Sequence, residues 1–204
     1  VRFETNAPLS DPSFYVELTD NTPKTNENFL SYVDSGAYDN TIFHRSVNNF
    51  VIQGGGFSAP LVDANRPGSD PVSIPTTDTV DNEPGNPNNR GTISMAKLGE
   101  QPDSATSQFF FNLSDNDFLN SDNGGYTQFG SVLGSGMTVI DTLGAANVFK
   151  ADQYYANTAM EELPLWNVNA DNIVTPNDFV KINNVEVATE STDSDLFTFT
   201  VSSS

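Results

Sequence analysis

Phe43-His44-Arg45-Ser46-Val47-Asn48-Asn49-Phe50-Val51-Ile52-Gln53-Gly54-Gly55-Gly56-Phe57 runs through a strand region that starts at Thr41 and closes on three consecutive glycines. It carries apolar side chains suited to strands, one arginine, and the only histidine of the chain. The triplet has neither the lysine nor the following helix pattern of a phosphate-cradling loop, so it reads as a tight turn. Without its surroundings, Arg45 reads as an ordinary surface or salt-bridging arginine.

Toward the N-terminus, Phe14, Val16 and Leu18 alternate with Tyr15 and Glu17, the period of a half-buried strand. A helix follows, with Thr22 as its expected N-cap, Pro23 in its first turn, an apolar stripe of Phe29, Leu30 and Val33, and Gly36 at its end. Toward the C-terminus, residues 58–90 are rich in Pro, Asp, Asn and Gly. They read as a long irregular excursion, of the kind that is functional or mobile. Strands are expected over 92–96, 108–113 and 129–133. In the second of these, alternation puts Gln108, Phe110 and Asn112 on one face and Phe109, Phe111 and Leu113 on the other. Both faces are partly apolar, as in a barrel wall that packs inside and carries something outside.

A short second helix is expected over 137–143, ended by Gly144, and residues 145–177 read as loop. Val180 with Ile182, then Val185 with Val187, make a last strand region broken at Asn183-Asn184. Residues 190–204 form a Ser/Thr/Asp-rich tail beyond a domain of residues 1–189. Many strands, two helices and no βαβ rhythm predict an antiparallel barrel with helices at its ends.

The 204 residues suit one domain. Hydrophobic residues make up only 36 %, but fifteen Phe argue for an aromatic core rather than disorder. The formal charge of −19 repels nucleic acid and anionic membrane surfaces and favours a monomer. It suits a salty setting, or simply an acidic secreted protein. The absence of Cys excludes disulfides, thiol catalysis and zinc–thiolate sites. No apolar run approaches the ~20 residues of a membrane helix, so membrane insertion is not expected. Val1 is not an initiator Met, so a mature or trimmed form is expected.

The opening stretch resembles the cyclophilin signature: Phe-His-Arg, four intervening residues, Phe, an apolar pair, then Gln-Gly-Gly. Three further blocks agree with that family, in the family's order. They are Pro23-Lys24-Thr25-Asn26-Glu27-Asn28-Phe29; Gly91-Thr92-Ile93-Ser94-Met95-Ala96 with Ser104-Ala105-Thr106-Ser107-Gln108-Phe109-Phe110; and Phe118-Leu119 with Tyr126 and Phe129-Gly130. The resemblance covers roughly residues 1–187, and Asp103-Ser104-Ala105-Thr106-Ser107-Gln108 looks most like the bacterial, often periplasmic, branch. It implies an eight-stranded antiparallel closed barrel capped by two α-helices. It also implies peptidyl-prolyl cis/trans isomerase activity on unfolded or folding protein clients, in a periplasmic or secreted setting.

By the same resemblance, Arg45 is the catalytic cation, Gln53 hydrogen-bonds and orients its guanidinium, and Phe50 completes the catalytic set. Val51, Phe110 and Leu119 would form the proline-ring pocket with Phe50. Met95 and Ala96 would lie nearby, the backbone at Lys97 would anchor the peptide, and Gln108 would share the groove with Phe110. Phe118 and Tyr126 would complete the substrate face. They stand where many members carry Trp and His, and Val51 where Met is common. Without the Trp donor, cyclosporin A is expected to bind more weakly.

The chemistry needs no cofactor, metal or nucleophile. An X–Pro bond turns slowly because its C–N bond is partly double. The catalyst need only favour the twisted amide, and no proton transfer requires His44, which reads as a structural hydrogen-bonder. Two other functional classes stand beside this one: a proline-peptide docking module or chaperone with little turnover, and an acidic envelope component using the fold as scaffold. Asn167, Asn169, Asp171 and Asp178 have calcium-loop-like spacing but lack the central Gly, so a turn is the expected reading.

Overall fold

The computed structural model describes residues 1–60, 70–152, 155, 157–167 and 174–188. In chain order the elements are β1 (Arg2–Thr5), β2 (Ser13–Leu18), α1 (Pro23–Asp34), β3 (Thr41–Ile42), β4 (Arg45–Val47), β5 (Val51–Gly54), β6 (Phe57–Ser58) and β7 (Val72–Ser73). Then come β8 (Thr92–Met95), β9 (Phe109–Asn112), β10 (Gln128–Val132), α2 (Gly136–Gly144), β11 (Asn147–Phe149), β12 (Leu163–Leu165) and β13 (Lys181–Glu186). The first ten strands and β13 make one sheet in the order β4-β5-β9-β8-β10-β2-β1-β13-β3-β6-β7, and β11 pairs with β12 apart from it. The protein is thus mainly β with two helices, its sheet curled into a half-barrel. An eight-stranded closed barrel is not seen among the described residues. Non-strand residues at Phe43-His44 and Gly55-Gly56 divide the sheet into short pieces.

Helix α1 starts at Pro23, as its fixed φ favours. Thr22 makes no side-chain cap, however. The cap comes from across the chain: the Glu83 carboxylate accepts from the N–H groups of Lys24 at 3.2 Å and Thr25 at 2.8 Å. Gly36, at φ +68°, ends the helix in the left-handed region. There its N–H donates to Val33 O and the N–H of Ala37 to Tyr32 O. Phe29, Tyr32 and Val33 are the apolar side chains the helix buries.

The break expected at Asn183-Asn184 is a bulge within a continuous strand. Glu4 faces Asn184 while Thr5 faces Ile182, so Asn183 is the extra residue. The slip lets Ile182 and Val185, three apart, both reach the core. Residues 145–177 are not all loop, since they include β11 and β12.

The core is aromatic. Phe3 stacks on Phe14 at 4.9 Å, and Phe29, Phe109 and Phe111 meet Phe3 edge-on or tilted. A second buried cluster joins Ile42, Phe57, Met160, Leu163 and Phe179. The described part of 58–90 is tied to the domain by Glu83, by a bridge from Val80 to Ala105, and by the buried Asn88. Residues 61–69 of that excursion and the 190–204 tail lie outside the described residues.

Candidate active site

Arg45 on β4 faces Gln53 on β5, Gln53 faces Phe110 on β9, and Phe110 faces Ser94 on β8. Opposed residues share a sheet face, and so does Val51, two residues from Gln53. Their neighbours Ile52, Phe109 and Phe111 point the other way, into the core. One row across four strands therefore carries a cation, an amide and an aromatic ring on the outer face.

Beside this row lies a cavity of about 340 Å³. Val51, Phe110 and Leu119 form a buried apolar cluster at it, with Phe50, Ala96 and Tyr126 packed against them. Phe118 stands 56 % exposed at the rim, stacked on Phe50 at 5.5 Å. Tyr126 meets Phe110 edge-on at 5.8 Å. The guanidinium carbon of Arg45 lies 5.9 Å from the centre of the Phe50 ring, within cation–π range.

The polar contacts differ from expectation in one respect. Gln53 is the cross-strand neighbour of Arg45, but its Nε2 donates to Gln108 Oε1 at 2.9 Å. Arg45 Nε donates instead to Glu162 Oε2 at 2.7 Å. Among the described residues, the Nη groups of Arg45 make no hydrogen bond. Lys97 Nζ donates to the carbonyls of Asn123 at 2.9 Å and Gly125 at 2.7 Å, and lies 4.6 Å from the Tyr126 ring centre. Burial lowers its pKa below the ordinary lysine value. Among the described residues, its main-chain N–H and C=O have no partner.

Of the residues expected at the site, Arg45, Phe50, Val51, Gln53, Ala96, Lys97, Phe110, Phe118, Leu119 and Tyr126 all line the cavity. Met95 does not. It pairs with Phe109, so strand alternation turns it into the core. Gln108 stands one step behind, holding Gln53 rather than lining the cavity. Asp122 lines it unforeseen, and Glu162 reaches Arg45 from 117 positions along the chain. No local motif marks either.

His44 is 1 % exposed, with its ring 4.9 Å from that of Phe57. Burial lowers its pKa to about 4, against an opposing hydrogen bond that the imidazole donates to Gln108. It is therefore neutral at neutral pH. Asp178 Oδ2 accepts from Thr175 N and Oγ1, both at 2.7 Å, closing a turn. The middle of the calcium-like spacing, 168–173, lies outside the described residues.

The fold and site together are an antiparallel sheet with two helices whose outer face carries an arginine beside an apolar cluster. Residues 1–164 match the family model described as "Cyclophilin type peptidyl-prolyl cis-trans isomerase/CLD". The chain is 44 % identical over 138 residues to a peptidyl-prolyl cis-trans isomerase of Acinetobacter baylyi, covering 65 % of this chain and 66 % of that one. It is 44 % identical over 131 residues to peptidyl-prolyl cis-trans isomerase B of Escherichia coli, covering 61 % of this chain and 73 % of that one. The crystal structure of a Cryptosporidium parvum cyclophilin type peptidyl-prolyl cis-trans isomerase, in the presence of the dipeptide Ala-Pro, superposes with a TM-score of 0.61 at 25 % identity. That match covers 92 % of this chain and 98 % of the other. The chain belongs to the cyclophilin-type peptidyl-prolyl cis-trans isomerases, a family of isomerase enzymes.

Proposed function

We propose that this groove turns X–Pro bonds by seating the pyrrolidine ring against Phe50, Val51, Phe110 and Leu119 while Arg45 meets the twisted amide. The planar bond resists rotation by ~18–20 kcal/mol, and no covalent bond breaks on the way. A site that fits the twisted amide better than either flat form lowers that barrier. As the amide twists, its nitrogen becomes pyramidal and gains lone-pair density. The Nη donors of Arg45 face that density without losing their charge, because a guanidinium stays protonated. Among the described residues the main-chain N–H and C=O of Lys97 have no partner, which supports its role as the peptide anchor.

The observation that carries this reading is the guanidinium held through Nε, with both Nη groups free of hydrogen bonds among the described residues, at the wall of a cavity that the Val51, Phe110 and Leu119 cluster lines. One positioned donor is worth ~2.7–4 kcal/mol, or ~10²–10³ in rate, so the shape of the slot supplies the rest. Its substrates on this reading are proline-containing segments of unfolded or folding proteins, met outside the cytoplasm. The relative crystallised with Ala-Pro present supports the first part, and cell fractionation tests the second. The same reading takes β3 with β4, and β5 with β6, as single bent strands; with the two-residue β7 set aside, the family's eight remain.

Exchange spectroscopy on a short Ala-Pro peptide tests the catalytic claim. Arg45→Ala is expected to slow catalysed exchange by ~10²–10³-fold. Equal and negligible rates in the parent and the variant would leave the docking-module reading in its place.

A further inference from the structure

We infer that Glu162 is a positioning residue for Arg45, fixing the plane of the guanidinium that meets the proline amide; this rests on the function proposed above. Arg45 donates to Glu162 through Nε, at 2.7 Å. Among the described residues the other paired arginines, Arg2 and Arg90, bind their carboxylates through Nη ends. Holding a planar guanidinium by Nε sets its orientation and leaves both Nη ends for a ligand. Holding it by Nη would consume those ends.

Glu162 is itself fixed. Its carbonyl oxygen accepts from the N–H of Ser46 at 2.8 Å, so its main chain and side chain grip consecutive residues of β4. On its N-terminal side, Glu161 accepts from Lys150 Nζ at 2.9 Å. Met160 and Leu163 are fully buried in the second cluster. That cluster, with the β11–β12 ribbon, presents a carboxylate to the catalytic cation. The ion pair is a third exposed on both sides, 34 % and 38 %, and pairs so exposed add little to stability. Its geometry therefore matters more for where the guanidinium points than for whether the chain folds.

The test compares the parent, Glu162→Ala, Glu162→Gln and Arg45→Ala on one Ala-Pro peptide, with kcat and KM resolved and the Arg45 Nε–H resonance followed by NMR. Glu162→Ala is expected to lower kcat by about tenfold with KM within about twofold. Glu162→Gln keeps an acceptor for Nε and is expected to stay within about threefold of the parent. The Nε–H resonance should persist in the parent and in Glu162→Gln and be lost in Glu162→Ala. A parent-like kcat in Glu162→Ala, or equal losses in both variants, would overturn the inference. Should Glu162→Ala fail to fold, the resonance decides: without a protected Nε–H in the parent the idea fails. An Arg45→Ala variant as active as the parent would instead remove the catalytic role of Arg45 on which the inference rests.

Discussion

At the scale of single residues, the site depends on which way side chains point. Gln53 and Phe110 share a face with Arg45 because they oppose one another in register. Met95 is lost to the core by a single step of alternation. Phe118, stacked on Phe50 and exposed, offers a flat ring but no N–H. Phe118→Trp restores a donor there and is expected to tighten cyclosporin A by several-fold, the worth of one added hydrogen bond of about 1 kcal/mol. Calorimetric titration measures it, and unchanged affinity would remove the donor explanation. The strand residues of the site were legible through the family resemblance, and alternation added only that Phe110 faces away from Phe109 and Phe111. Glu162 was not, since its approach to Arg45 depends on how a distant segment packs.

At the scale of elements, local propensity set most boundaries and tertiary contacts set the exceptions. Thr22 has the right chemistry to cap α1, yet Glu83 does it from the irregular excursion. Pattern reading has no access to a cap supplied 58 positions away. Glu83→Ala is expected to cost about 1 kcal/mol, the usual worth of a cap, read as a lower denaturation midpoint with an unchanged slope. The glycine triplet was legible as a turn, and its middle residue shows why. Gly55 has φ +74°, and a Cβ there would lie 2.7 Å from Ser107 O and 2.8 Å from the Phe109 ring. Gly55→Ala is expected to cost at least about 2 kcal/mol from backbone strain and clash together, read by urea unfolding. Near-parent stability would mean that the turn relaxes freely. The break at Asn183-Asn184 was also visible, but a period of two cannot tell a strand end from a bulge.

At the scale of the whole molecule, charge and one buried histidine govern the response to conditions. With 27 acidic and 8 basic side chains, self-repulsion is screened by salt, so raising ionic strength is expected to raise Tm. His44 binds its proton at about pH 4 when folded, against 6.5 for the ordinary side chain. Between those values the unfolded chain holds more protons, so stability rises with pH across the window. It is fully present above 6.5 and falls by about 3 kcal/mol as pH drops through 4. Urea midpoints across that range for the parent and His44→Gln would show the slope in one and its reduction in the other. The aromatic core and the antiparallel plan were legible from Phe content and strand rhythm, whereas the curl of the sheet depends on pairings no single stretch reveals.

The central claim is that a fixed guanidinium beside an apolar slot prefers a twisted amide to a flat one. It is tested most directly by titrating an Ala-Pro peptide and measuring affinity and cis/trans exchange separately in the parent and Arg45→Ala. The account predicts similar affinity in both and exchange slower by ~10²–10³-fold in the variant. Equal exchange in the two, or a parent that binds the peptide without turning it, would contradict it.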